Sequence, residues 1–230
     1  IIPHAFDQQR ALVYLNEWLK GRQIQSETES ESGSFRPIRL RGVYLPLWTF
    51  DLGGSLEYIV EKVDDSELQF NRRQPKKIRI KDSYPVQVND LPIPASRKLS
   101  AVFLKLIPTF ELKAVKPYDP RYLANWPAEV YDIPMAEASL DARAQSLARY
   151  KNDLPNLLTP AQLISTASAN MTVESFRLNL LPVWMTELPF GGREHLVLIN
   201  GMNGTVKSDL PEKPNKPGGL LEWLGDLLED

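Results

Sequence analysis

The sequence predicts an α+β fold of two related antiparallel β-hairpin units with inserted helices and a C-terminal amphipathic helix. Three observations predict it. Leu45-Pro46-Leu47-Trp48 and Leu181-Pro182-Val183-Trp184 are near copies, each followed by a glycine pair, Gly53-Gly54 and Gly191-Gly192. The stretch between the copies carries apolar residues at helical spacing. The chain then closes on a leucine-rich helical pattern behind a Pro/Gly-rich linker. Read as hairpins, the glycine pairs are turns and the two Pro-X-Trp strands are where the units pack together. This places one α+β domain over residues 1–210, with repeat halves near 36–90 and 171–210 and a helical insert over 95–170. Residues 211–230 form the linker and tail helix.

The elements follow in order. Asp7 is an N-cap, and Ala11, Leu12, Leu15, Trp18 and Leu19 recur at helical spacing up to Gly21, a C-cap residue. Residues 25–34 are polar, acidic and low in complexity, so a mobile linking loop is expected there. Residues 36–52 read as a strand in which Pro46, unable to donate to a ladder, marks an edge or a bulge. After Gly53-Gly54, residues 56–63 read as its return strand. In the basic run 71–81, Ile78 and Ile80 alternate with Lys77, Arg79 and Lys81, the pattern of a strand with one charged, solvated face.

Ser96 is the expected cap of a helix whose stripe is Leu99, Val102, Phe103, Leu106 and Ile107, ended by Pro108. A Pro- and aromatic-rich connection follows, ordered by laying Tyr118, Tyr122 and Trp126 into apolar grooves. Asp132 caps the next helix, with Pro134 in its first turn, running through Ala138, Leu140, Ala144 and Leu147 to about Tyr150. Thr159-Pro160 opens a short helix to about Ala169. Residues 172–187 are the second Pro-X-Trp strand and 194–200 its partner. Asn200-Gly201 and Asn203-Gly204 are turns ahead of a last strand over 205–208.

Composition narrows the function classes. At 230 residues the chain can bury a real core, and 43% hydrophobic with 24% charged residues places it among ordinary globular proteins. A formal net charge of −2 gives no overall drive toward nucleic acid or an anionic membrane. Cysteine is absent, which removes disulfides, thiol catalysis and Cys-ligated zinc or iron–sulfur centres from this chain. No apolar run reaches the ~20 residues of a membrane helix. The chain opens on Ile1, which suggests a trimmed piece of something longer.

No catalytic set emerges. Only His4 and His195 are present, too few for a metal site or an acid/base pair of histidines, and His195 reads as a partly exposed strand residue. The nucleophile-elbow, phosphate-loop, dinucleotide and zinc-protease motifs are missing. No catalytic residue, cofactor or metal ligand is therefore assigned. Trp48 and Trp184 read as a shared aromatic core, with a ligand-stacking pair as the alternative. In the tail, Leu220, Leu221, Trp223, Leu224, Leu227 and Leu228 share one face opposite Glu222, Asp226, Glu229 and Asp230. A helix that short needs a surface, either its own domain or a partner's groove. Partner binding is thus assigned to those six residues together with Tyr118, Tyr122 and Trp126. The alternative is nucleic-acid contact through Arg72, Arg73, Lys76, Lys77, Arg79 and Lys81, disfavoured because no aromatics interleave the cations.

With the two Pro-X-Trp copies, Tyr118-Asp-Pro-Arg-Tyr-Leu-Ala, Tyr131-Asp-Ile-Pro and Leu198-Ile-Asn-Gly-Met-Asn-Gly-Thr-Val in view, the chain resembles a bacterial group, the TFIIB-type zinc-ribbon-containing proteins. Some of these carry a primosomal-helicase label and some accompany phage-shock envelope-stress proteins. The resemblance spans roughly residues 3–211. It implies an assembly or adaptor role near the envelope, here as a cytoplasmic protein held at the inner face of the membrane through a partner. The ribbon's cysteines have no counterpart in this chain, so no zinc residue carries over, and no nucleotide-binding motif supports a helicase.

Overall fold

The computed structural model describes residues 1–22, 38–63, 77–157 and 163–211. Among these residues it has helices α1 (Gln8–Gly21), α2 (Ala101–Leu106) and α3 (Met135–Leu157). Its strands are β1 (Arg41–Val63), β2 (Lys77–Pro94), β3 (Leu163–Phe190), β4 (Arg193–Asn200) and β5 (Val206–Ser208). The strand order is β2-β1-β3-β4-β5, so the two strands bearing the Pro-X-Trp copies are neighbours. The pairs β1–β2, β3–β4 and β4–β5 are antiparallel, which gives the mixed α/β class that the sequence predicts. Two compact units divide the chain.

The first unit holds the described residues of Ile1–Pro46, Ser96–Tyr131 and Asn179–Asp230. Helix α1 starts where the Asp7 carboxylate accepts the Arg10 N–H at 2.9 Å, as its sequence pattern requires. Its buried stripe Ala11, Leu15 and Leu19 packs with Leu40, Trp184, Leu188, Val197 and Ile199. Each such buried leucine contributes about 2 kcal/mol, more than any local propensity in the helix. The turn after β4 is fixed by Asn200, fully buried, whose amide donates to Thr109 O at 3.0 Å and Thr109 Oγ1 at 2.9 Å. Its side-chain oxygen accepts the Met202 N–H at 2.8 Å. The Ile1 nitrogen donates to Lys116 O at 2.8 Å, and Ile1 and Ile2 are buried.

The second unit holds Leu47–Ala95 and Asp132–Leu178. Strands β1 and β2 form one long hairpin, paired from Leu47↔Pro94 to Val63↔Lys77. The register shifts between Phe50 and Leu52, and Asp90, on the partner strand, takes φ +51°, a left-handed conformation that Asp tolerates better than most. Trp48, Phe50, Leu52, Leu56, Tyr58 and Val60 all turn to one face and fill the core. Helix α3 covers that face with Ala138 and Ala142, both fully buried. Small side chains let the helix sit close, and the sheet supplies the bulk.

Several expectations are corrected. Gly53-Gly54 is not a turn: both glycines lie inside β1, opposite Gln87 and Val86, and residues 56–63 continue the same strand. A Cβ at Gly53 would stand 2.0 Å from Glu174 Oε1, and one at Gly54 2.1 Å from the Asn170 carbonyl oxygen. At Gly54 glycine is there because the backbone of the next strand comes close, the other standard reason for glycine within a strand, whereas at Gly53 the near group is the movable end of a side chain. Gly191-Gly192 is the turn expected, with φ +57° and +73°. Ser100, not Ser96, caps α2, accepting the Phe103 N–H at 3.3 Å. Of the expected stripe of α3, Ala138 is buried and Leu147 packs against the core, whereas Leu140 is 61% exposed and Ala144 is exposed, and the helix continues past Tyr150 to Leu157. Where a helix was expected up to Ala169, β3 already runs from Leu163, because pairing in the sheet overrides a local Thr-Pro start signal. Trp48 and Trp184 do not share a core: each belongs to the core of its own unit. The expected loop over 25–34 and tail helix lie outside the described residues.

Candidate functional site

An open cleft of about 600 Å³ lies in the second unit between α3 and β3. Helix α3 contributes Met135, Ser139 and Arg143, and β3 contributes residues 173–176. Phe176 is 47% exposed at its rim, although its ring also meets Trp48 at 6.1 Å and Phe50 at 6.4 Å. The cleft therefore has an aromatic wall anchored on the core and open to solvent.

A polar network crosses the strands beside it. The Asp51 carboxylate accepts the Asp90 N–H at 2.8 Å and the Ser175 hydroxyl at 2.5 Å. The Asp90 N–H and then the Ser175 hydroxyl hold Asp51 below the usual carboxylate range against desolvation, with a smaller contribution from the charge of Arg177. Arg177 is itself ion-paired with Asp90. This network braces the left-handed Asp90 rather than activating Ser175: a carboxylate with lowered proton affinity is a poor base for a serine hydroxyl. Glu174 is drawn over Gly53 and accepts from Gln87 Nε2 at 3.0 Å. Arg143 is exposed and has no ion pair among the described residues.

The first unit contains a buried aromatic box around His4. Its ring centroid lies 5.1 Å from Tyr44, 4.8 Å from Trp126 and 5.1 Å from Trp184. Burial lowers His4 from 6.5 to about 4, partly offset by the Val43 carbonyl. That carbonyl is near enough to favour protonation, yet neither ring nitrogen completes a well-aligned hydrogen bond. Burial pushes the Tyr44 hydroxyl up. A neutral imidazole enclosed by rings is a packing element. His195 stands on β4 with Nδ1 3.3 Å from Asp209 Oδ1, off hydrogen-bond alignment.

The residues singled out from sequence fare differently. Trp126 packs edge-on to Trp184 at 4.9 Å and closes the His4 box, while Tyr122 is half-buried. Tyr118 is 60% exposed, so it does not lie in a groove. Arg79 reaches Glu61 at 3.0 Å across the hairpin, and Lys81 is exposed on β2. Ile78 and Ile80, the apolar side of that strand, are 40% and 41% exposed. Lys77 lies in β2. Arg72, Arg73 and Lys76 lie outside the described residues, as do Leu220, Leu221, Trp223, Leu224, Leu227 and Leu228. Arg143, Glu174 and Phe176 were missed: Glu174 and Phe176 read as interior positions of a Pro-X-Trp strand, and nothing local marks them as the wall of a cleft.

Among the described residues, no helix is long and apolar enough to cross a membrane, and no cluster of three or more His, Asp or Glu could hold a metal ion. No family model matches the chain, and no solved structure matches it. The chain is similar to the uncharacterized protein YdjG of Bacillus subtilis, 21% identical over an alignment of 238 positions that covers 99% of this chain and 67% of that protein.

Proposed function

We propose that the chain is a non-catalytic protein-interaction domain, a scaffold component of an envelope-associated assembly. The observation that carries this reading is Phe176, an aromatic side chain left 47% exposed on an open cleft. Leu178 at 37% and Leu140 at 61%, in the same unit, add apolar surface that solvent alone does not favour. Beside the cleft, the Ser175 hydroxyl is held by the Asp51 carboxylate, a contact that braces the strands. The envelope setting comes from the resemblance to the zinc-ribbon-containing proteins. The leucine face of residues 220–228 is a second contact element of this proposal.

The test is selection of random displayed peptides on the purified chain, with affinities of the enriched sequences measured by anisotropy. Enrichment of a consensus that binds the chain supports the reading. Failure to enrich anything, or turnover of a substrate by the purified chain, removes it. Deleting residues 220–230 weakens association if the tail contributes, and unchanged binding rejects that part.

The same reading includes an internal duplication. Helix, long strand and strand occur in that order twice, as α1-β1-β2 and α3-β3-β4. Trp48 stands opposite Ile93, and Trp184 opposite Ile199, with both isoleucines buried. An experimental structure in which 41–50 and 177–186 fail to superpose together with their partner strands removes it.

A further inference from the structure

Sheet edges in this chain are closed in a specific way. At Tyr44, β1 exchanges main-chain hydrogen bonds with Pro127 and Glu129, at 2.8 and 2.9 Å. At Gln87, β2 gives its carbonyl to the Tyr150 hydroxyl at 2.9 Å. At Leu180, β3 gives its carbonyl to the Ile2 N–H at 3.0 Å. Strand β4 pairs with β3 only from Val183 to Phe190. Before Leu180, therefore, the edge of β3 away from β1 has no partner strand among the described residues. The two-residue period of a strand carries the outward direction of the Leu180 carbonyl back to Leu178 and Phe176. An open edge of this kind is a template for another extended chain.

The cleft between α3 and β3 takes its strand wall from residues 173–176, which lie in that unpaired stretch. Phe176, Met135 and Val173 form its apolar side. Its charge is unbalanced: the Glu174 carboxylate is folded back over Gly53 and held by Gln87, whereas Arg143 is exposed and has no ion pair among the described residues. The free charge facing a ligand is therefore positive.

We propose that this groove binds an extended acidic segment of a partner protein as an added strand on the open edge of β3, one apolar side chain lying against Phe176 and Met135 and one carboxylate on Arg143. The proposal rests on the protein-interaction reading and specifies its place and chemistry. Main-chain hydrogen bonds along β3 supply affinity, the Phe176 wall selects an apolar side chain, and Arg143 selects the acid two residues or one turn of register away.

Fluorescein-labelled heptapeptides alternating Val or Leu with Glu, and counterparts carrying Lys in place of Glu, are titrated into the full chain and followed by anisotropy. The Glu series binds and the Lys series does not. Arg143→Glu weakens the Glu series by about tenfold or more and moves preference toward the Lys series. Phe176→Ser weakens the Glu series as well. Arg143 is exposed, whereas the Phe176 ring also meets Trp48 and Phe50, so retention of the fold is checked for both variants by circular dichroism. Methylating the alternate peptide nitrogens that face β3 abolishes binding, and methylating the other set leaves it. Equal binding of the two series, indifference to both variants, or equal effects of the two methylation patterns overturns the groove. If display-selected peptides still bind in those cases, the interaction reading stands without it. If no peptide binds at all, both fall.

Discussion

His4 makes the acid stability of this protein a direct measure of how tightly its aromatic box is closed. Burial among Tyr44, Trp126 and Trp184 lowers its pKa from 6.5 to about 4 in the folded chain. The unfolded state then binds the proton more tightly, so protonation favours unfolding. The contribution is fully present above pH 6.5 and is lost as pH falls from there toward 4. At 1.36 kcal/mol per unit, the loss between pH 8 and pH 5 is about 2 kcal/mol, reduced to about 1–2 kcal/mol because the ring is only partly buried. His4→Phe keeps an aromatic ring and removes the titration. Urea unfolding of both proteins from pH 8 to pH 4.5, followed by tryptophan fluorescence, gives the difference directly, because carboxylate titrations common to both cancel. The wild type should lose stability relative to the variant below pH 6.5, with a flat difference above pH 7. A difference independent of pH across this range would refute a buried neutral imidazole.

Three further outcomes follow from the packing. Gly54→Ala places a Cβ 2.1 Å from the Asn170 carbonyl at φ +151° and should cost on the order of 2–4 kcal/mol in chemical denaturation; Gly192→Ala, with φ +73° and open space around it, should cost about 1 kcal/mol. Asn200→Ala removes two donor bonds and one acceptor bond from a fully buried side chain, so a loss of about 3 kcal/mol is expected, and a loss below about 1 kcal/mol would show that the turn is held otherwise. The Trp48 indole donates to Ile133 O at 2.9 Å, whereas the Trp184 indole nitrogen is buried without a partner. Trp48→Phe should therefore cost about 1–2 kcal/mol more than Trp184→Phe by thermal or urea unfolding.

Local rules read well where the cause is local. Asp7 caps α1 because a carboxylate ahead of a helical stripe has only one set of N–H groups to serve, and Asn203-Gly204 turns because φ +80° at Gly204 suits glycine. The same rules failed at Gly53-Gly54, where the sequence offers the composition of a turn and the strand continues for nine residues. They failed again in α3, where Leu140 looked like core and small residues hold the inner face. The candidate site suffered most. Phe176 reads as one apolar position in a strand, and only the short extent of β4 leaves its edge without a partner strand among the described residues.

The sequence by itself determined the mixed class, the neighbouring Pro-X-Trp strands, the first helix with its cap and the glycine turn at Gly191-Gly192. These depend on spacing along the chain, which a sequence carries in full. Tertiary structure alone decided how far each strand pairs with its neighbours, which residues of α3 are buried, why Gly54 must lack a Cβ, and where a cleft with an unbalanced cation opens. Each of those depends on what approaches from residues tens of positions away, and close approach between distant segments leaves no period in the sequence to read.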